Sequence, residues 1–244
     1  MTGTAKARPR RGLMLLGVLA LAGVAVLTSL GVWQVERLYW KLDLIQRVEE
    51  RAQAAPVPAP GPEAWPAVTA ASQEYRRVEV TGRFLNDRET LVQAVTERGG
   101  GFWVLTPFRT DRGFTVLVNR GFVPPDKRDP DSRPAGQVPD ETTVTGLLRV
   151  TEPGGGFLRS NDPAGDRWYS RDVAAIAAAR GVTEAAPYFI DAEAGPEGGY
   201  PVGGLTILKF RNNHLVYALT WFALDLMLIA AAAYVARSEW KRRR

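Results

Sequence analysis

Histidine occurs once in the 244 residues, and its surroundings are the chain's best candidate for chemistry. The segment reads Asn212-Asn213-His214-Leu215-Val216-Tyr217-Ala218-Leu219-Thr220-Trp221-Phe222. Tyr217, Ala218 and Trp221 follow His214 at i+3, i+4 and i+7, so a helix here would carry His, Tyr and Trp on one face with a small Ala between them. Imidazole suits haem iron, and flat aromatics beside a small residue could flank a flat macrocycle. The same spacing equally describes an interfacial His bonded to its neighbours within an aromatic belt. Spacing alone favours that second reading.

Other chemistries find little support. There is no cysteine, so neither a disulfide framework nor thiolate chemistry is available. With a single His at the edge of an apolar run, a Ser-His-Asp relay inside the outer domain is not expected. Gly99-Gly100-Gly101 and Gly154-Gly155-Gly156 lack the Lys-Ser/Thr pair of a phosphate loop. Asp129 and Asp131 fall in a Pro-rich segment and read as solvated. No enzymatic constellation emerges. The formal charge of +5 comes from the ends. Lys6, Arg8, Arg10 and Arg11 precede the first apolar run, and Arg237, Lys241, Arg242, Arg243 and Arg244 follow the second. These are 9 of the 31 basic residues, and the remainder of the chain is slightly acidic. A basic face for nucleic acid is therefore not expected.

Two apolar runs would position the histidine. Leu13 to Val32 is uncharged and about 20 residues long, enough to cross a hydrocarbon core of about 30 Å. It outlasts the h-region of a cleaved signal peptide, although Ala20-Leu21-Ala22 resembles a cleavage site. Leu215 to Ala236 has the same reach but holds Asp225 near its middle. A charge there costs at least about 2.5 kcal/mol, so this carboxyl is expected to be protonated or to face another helix. With basic residues flanking both runs on the terminal sides, the positive-inside rule places both termini in the cytoplasm. The centre then lies on the opposite, periplasmic face of a bacterial inner membrane. The expected segments are a basic tail (1–12), a first span (13–32), an amphipathic helix (33–54), a β-rich domain (55–213), a second span (214–236) and a basic tail (237–244).

Between the spans, Pro56 to Pro66 reads as a linker or an extended segment. Alternating apolar residues predict strands at 76–84, 89–95, 102–108, 114–122 and 142–149, with short ones at 188–191 and 205–208. The tight connection before the third is expected at Gly99-Gly100-Gly101, and Asp111-Arg112-Gly113 closes a hairpin. Asp172 to Arg180, ended by Gly181, predicts one helix. The fold class is thus two transmembrane helices flanking a mainly β, small barrel- or sandwich-like, α+β extramembrane domain.

The order of several motifs resembles the surfeit locus protein 1 family. Leu30-Gly31-Val32-Trp33-Gln34-Val35-Glu36-Arg37-Leu38-Tyr39-Trp40-Lys41 is similar to its LGxWQxxRxxWK signature. Gly82-Arg83-Phe84 and Gly101-Phe102-Trp103-Val104-Leu105-Thr106-Pro107-Phe108 follow. Val118-Asn119-Arg120-Gly121-Phe122-Val123-Pro124 matches VNRGWVP except that Phe122 replaces Trp. Asn161 with Trp168-Tyr169-Ser170-Arg171-Asp172 resembles the N…WYxxD element, and residues 212–222 resemble NNHLxYAxTWF. Asp225 departs from the family's apolar span.

The resemblance implies a non-enzymatic, membrane-bound assembly factor for haem-copper cytochrome c oxidase, the respiratory chain's complex IV. Its task would be to assist haem a insertion into subunit I, or to act as a chaperone that holds a subunit I intermediate without binding haem. It maps the proposed haem ligand of bacterial relatives onto His214, with haem a held transiently. Partners would be cytochrome c oxidase subunit I, a haem a synthase and membrane lipid; homo-oligomerisation is left open. If the two spans emerge side by side, Trp33 and Trp40 approach His214, Tyr217 and Trp221. Arg37 and Lys41 are expected to meet either haem propionates or lipid headgroups.

Overall fold

The computed structural model describes residues 10–156, 158–195, 198–208 and 210–244. They form two compact units, one of the residues up to Gln46 with the C-terminal segment ending at Arg244, the other Arg47–Leu208.

The first element, α1 (Arg10–Gln53), is one unbroken helix of 44 residues. At 1.5 Å per residue that is about 66 Å, roughly twice the hydrocarbon thickness. The apolar run therefore occupies only its first part, and the amphipathic remainder continues the same rod. Pro56, which disfavours helical backbone in the residue before it, stands just beyond its end. Of the two readings of the Pro-rich stretch, the extended segment holds, and it is docked. Val57–Pro58 form a short strand, β1, and a 3-10 turn spans Pro62–Ala67. Ala59 is 1% exposed and its amide donates to the Glu79 carbonyl at 2.9 Å. The Trp65 ring stands edge-on to Phe114 at 6.0 Å. The Tyr188 hydroxyl donates to the Pro60 carbonyl at 2.7 Å, and burial pushes its pKa upward. Proline removes amide donors that would otherwise need partners, so a Pro-rich strap can lie on a barrel with little unmet hydrogen bonding. A four-residue helix, α2 (Ala70–Gln73), follows and opens on a Thr69/Ser72 capping box.

The β-rich unit is a five-stranded barrel. After β2 (Arg77–Phe84) come β3 (Thr90–Thr96), β4 (Gly99–Thr110), β5 (Thr115–Val123), β6 (Thr142–Val150), α3 (Val173–Ala179) and β7 (Ala185–Ala192). The hydrogen-bonded order is β1-β2-β6-β7-β5-β4-β3, and β2 also pairs with β4 through Gly82–Thr110 and Phe84–Phe108. That pairing closes β2-β6-β7-β5-β4 into a ring and removes the open edges of those five strands. All pairs in the ring are antiparallel except β5 with β7. A Cβ on Gly82 would lie 2.1 Å from the Arg109 carbonyl oxygen, so the closing seam requires glycine.

Two apolar clusters explain the strand pattern. One, inside the barrel, includes Val78, Phe108, Val116, Val118, Tyr188 and Ile190. The other gathers Leu105, Leu117 and Phe189 with Trp168, Val173 and Ile176, and so packs α3 on the opposite face of β5. Every residue of β5 is buried, as expected for a strand covered on both faces. Asp172 caps α3, its Oδ1 accepting from the Ala175 amide at 3.1 Å.

Two sequence expectations are corrected. Gly99-Gly100-Gly101 opens β4 rather than forming the turn, which falls at Glu97-Arg98. Residues 205–208 are not a strand. Their alternation of apolar and polar residues suits a strand, but the Thr206 hydroxyl is instead bonded to the Asp191 carboxylate at 3.0 Å.

Candidate functional site

The last element, α4 (His214–Arg243), runs 30 residues, and like α1 it is long and apolar enough to cross a membrane. The two apolar helices mark a membrane-anchored chain. They meet antiparallel along a seam in which Gly23, Thr28, Gly31 and Gln34 of α1 lie against Leu228, Asp225, Phe222 and His214 of α4. The seam is built on small residues. A Cβ on Gly23 would stand 2.8 Å from Leu228, and one on Gly31 would stand 2.5 Å from the Phe222 ring. Ala218 is 2% exposed. Absent side chains let helices approach closely in a bilayer, where apolar burial contributes little to association.

Asp225 lies on this seam and is buried. The Thr28 hydroxyl donates to its Oδ2 at 2.7 Å. The expectation that this carboxyl faces another helix is met within the chain itself, by α1.

His214 occupies the first turn of α4 and is half-buried. Its backbone amide donates to Asn212 Oδ1 at 3.4 Å, and the Asn213 carbonyl accepts from the Tyr217 amide at 3.2 Å. Asn212 and Asn213 thus shape the helix start. The ring is held from α1: His214 Nδ1 and Gln34 Oε1 are 2.7 Å apart. Among the described residues no hydrogen bond engages Nε2. Trp221, on the same face of α4, has its indole Nε1 buried without an acceptor among the described residues.

The other expected site residues distribute as follows. Tyr217, Trp33 and Trp40 are 54%, 52% and 46% exposed. The Arg37 guanidinium lies over the Trp40 ring at 3.9 Å from its centroid, and Lys41 Nζ lies 5.0 Å from the Phe210 ring. Both cations therefore sit on aromatic platforms supplied by the chain, worth about 0.5–1 kcal/mol each where exposed. The residue that α1 delivers to the imidazole is Gln34, which sequence reasoning left unmarked. The signal was present: Gln34 follows Trp33 in the first signature and lies three residues after Gly31 on the seam.

The central motifs serve the barrel instead. Asn119 donates to Asp191 Oδ1 at 2.7 Å while its own Oδ1 accepts from the Gly121 amide at 3.2 Å. Arg120 is buried, stacks over Phe84 at 4.3 Å, and donates to Asn86 Oδ1 and to the Gly136 carbonyl. Desolvation pushes its pKa down to about 10, partly offset by the Glu89 carboxylate. Gly121 has φ +124, and a Cβ there would lie 2.1 Å from the Val202 carbonyl oxygen. Trp168 is buried and its indole donates to Asp166 at 2.8 Å. Asn161 Oδ1 accepts from the amides of Tyr169 and Ser170.

Asp191 is the hub of the barrel's polar cluster. It accepts from Asn119, from Arg149 at 2.9 Å, from Arg171 at 3.1 Å and from Thr206. Glu74 and Glu152 hold the two arginines from the other side. The cluster borders a cavity of about 220 Å³ that also touches Tyr75 and Trp103. Because the carboxylates already satisfy both guanidinium groups, this cavity reads as the edge of a structural ion network.

The chain matches the SURF1 family over residues 21–226. It is 40% identical over 226 residues to surfeit locus protein 1 of Homo sapiens, covering 85% of this chain and 71% of that protein. It is 38% identical over 238 residues to the SURF1-like protein of Monosiga brevicollis, covering 91% and 88%. The Drosophila melanogaster SURF1-like protein is 36% identical over 217 residues, covering 81% and 69%. Matched by the family model over most of its length and 36–40% identical to these relatives, the chain belongs to the SURF1 family.

Proposed function

We propose that this chain is a membrane-anchored assembly factor for haem-copper cytochrome c oxidase, and that it assists haem a insertion into subunit I by binding haem transiently at His214. The observation that supports this most is the placement of the chain's lone imidazole. It stands at the first turn of an apolar helix, with one ring nitrogen tied down and the other disengaged. Family membership supplies the context of oxidase assembly.

The residues fit a haem. His214 Nε2 would hold the iron, and Trp221, with its buried unpartnered indole N–H, would offer a donor beside it. The exposed side chains of Tyr217, Trp33 and Trp40 would shield an apolar macrocycle. Arg37 and Lys41 would meet propionates, as a guanidinium matches a carboxylate bidentately. A bound haem would supply an iron to which the His214 imidazole could bond. A single protein ligand suits hand-over rather than permanent storage.

The same reading places the chain in a bacterial inner membrane, with both termini cytoplasmic and the barrel periplasmic. The barrel would contact subunit I and a haem a synthase. The chain is proposed not to be an enzyme. In cells lacking the endogenous factor, the wild-type chain should restore the haem a content of purified subunit I, and His214→Ala should restore it several-fold less. Full restoration by His214→Ala would favour the scaffold reading, in which subunit I is held open without haem.

A further inference from the structure

We infer that Gln34 sets the tautomer of His214, its Oε1 accepting from Nδ1–H, and so presents the Nε2 lone pair as the ligand atom; the ligand role rests on the haem-binding reading above.

A neutral imidazole carries its proton on one nitrogen, and the partner of one nitrogen decides the state of the other. A carbonyl-type oxygen 2.7 Å from Nδ1 can only accept, which places the proton on Nδ1. Nε2 is then a bare acceptor, and among the described residues nothing bonds to it. Free histidine prefers the opposite arrangement, with the proton on Nε2, so this one contact reverses the ring's ordinary preference. It also orients the ring. The His214 backbone is fixed to Asn212 at one end, and Nδ1 is fixed to Gln34 at the other.

Gln34 is itself held. It lies on the seam three residues after Gly31, whose missing side chain admits Phe222. Helix pairing thus brings the carboxamide to the imidazole, and packing of α1 on α4 favours the tautomer in which Nε2 is the ligand atom. Metal-ligating histidines commonly donate their second N–H to an oxygen, and losing that partner typically costs 10–100-fold in metal affinity. Gln34 is a positioning residue in this sense, since it touches the imidazole and not the iron.

The test exploits the single histidine. The full chain, labelled with 15N-histidine and held in detergent micelles at about pH 8 where an ordinary imidazole is neutral, gives one pair of ring nitrogens in long-range 1H–15N correlation spectra. The expected result is a protonated Nδ1 and a bare Nε2 in the wild type, reversed in Gln34→Leu and restored in Gln34→Glu, whose carboxylate is again an acceptor. Titration of the same proteins with iron protoporphyrin IX, followed in the Soret region, should show Gln34→Leu binding about 10–100-fold more weakly. Gln34→Glu should retain affinity and lower the reduction potential, because a charged acceptor makes the imidazole a stronger donor. A wild-type ring protonated on Nε2, or a Gln34→Leu variant matching the wild type in tautomer and affinity, would overturn the role of Gln34. A wild type with the expected tautomer that binds no haem would uphold the tautomer assignment and overturn the ligand role together with the haem-binding reading.

Discussion

Replacing Asp191 with alanine should unfold the barrel well before the helix pair is affected. Asp191 is 5% exposed and joins four donors from four separate segments: Asn119 on β5, Arg149 on β6, Arg171 before α3 and Thr206 near the chain's return. Truncating one member of a buried ion pair costs about 3–5 kcal/mol, because the remaining charge stays desolvated. Two features move the estimate to the lower end. Glu74 and Glu152 stay with the two arginines, so the charges left behind balance two against two. The Glu152 side chain is also 38% exposed, and water can relieve the Arg171 side of the cluster. About 3 kcal/mol remains, which corresponds to about 6–12 °C in the unfolding midpoint of a domain this size. Heating the detergent-solubilised chain while following near-UV circular dichroism would measure it. Asp191→Asn, which keeps the volume and one acceptor oxygen, should lose less. A midpoint for Asp191→Ala within about 2 °C of the wild type would refute the claim that this carboxylate ties the barrel together.

Two further outcomes follow from the helix pair. Asp225→Ala should loosen α1 from α4, since it removes the Thr28 hydrogen bond, worth about 0.6–2 kcal/mol in a bilayer; Asp225→Asn keeps an acceptor and should be tolerated. Cysteines introduced at Gly23 and Leu228, adjacent across the seam, would report this as slower disulfide formation in Asp225→Ala, and an unchanged rate would contradict the role. The native chain has no cysteine, so single introduced cysteines also map topology. A membrane-impermeant maleimide applied to intact cells should label Glu97→Cys and spare Lys241→Cys, and the reverse pattern would overturn the proposed orientation.

Much of this was legible in the residues. The apolar runs gave the helices, and the β2, β4–β5 and β6 segments gave strands, because period-two alternation with Gly-containing turns has few other solutions. The helix at Val173–Ala179 was marked by its Asp172 cap and the Gly181 stop. Barrel closure was not legible. It depends on β2 pairing with β4 at Gly82, a non-local contact that no local pattern encodes. For the Pro-rich stretch, composition left a linker and an extended segment both open; Ala59 and Trp65 carry it onto the core as the latter. Residues 205–208 were misread, since alternation without a ladder partner is not a strand. At the candidate site the aromatic cluster and His214 stood out by type. Gln34 did not, because a carboxamide is ordinary until the pairing of two helices brings it to an imidazole.

The central claim is that His214 is the ligand of a transiently held haem. Purifying the full chain from cells that make haem a, and recording the Soret band per mole of protein for the wild type and for His214→Ala, tests it most directly. A band in the wild type that is lost or strongly shifted in His214→Ala is the predicted result. Equal haem content and identical spectra in the two proteins would contradict it.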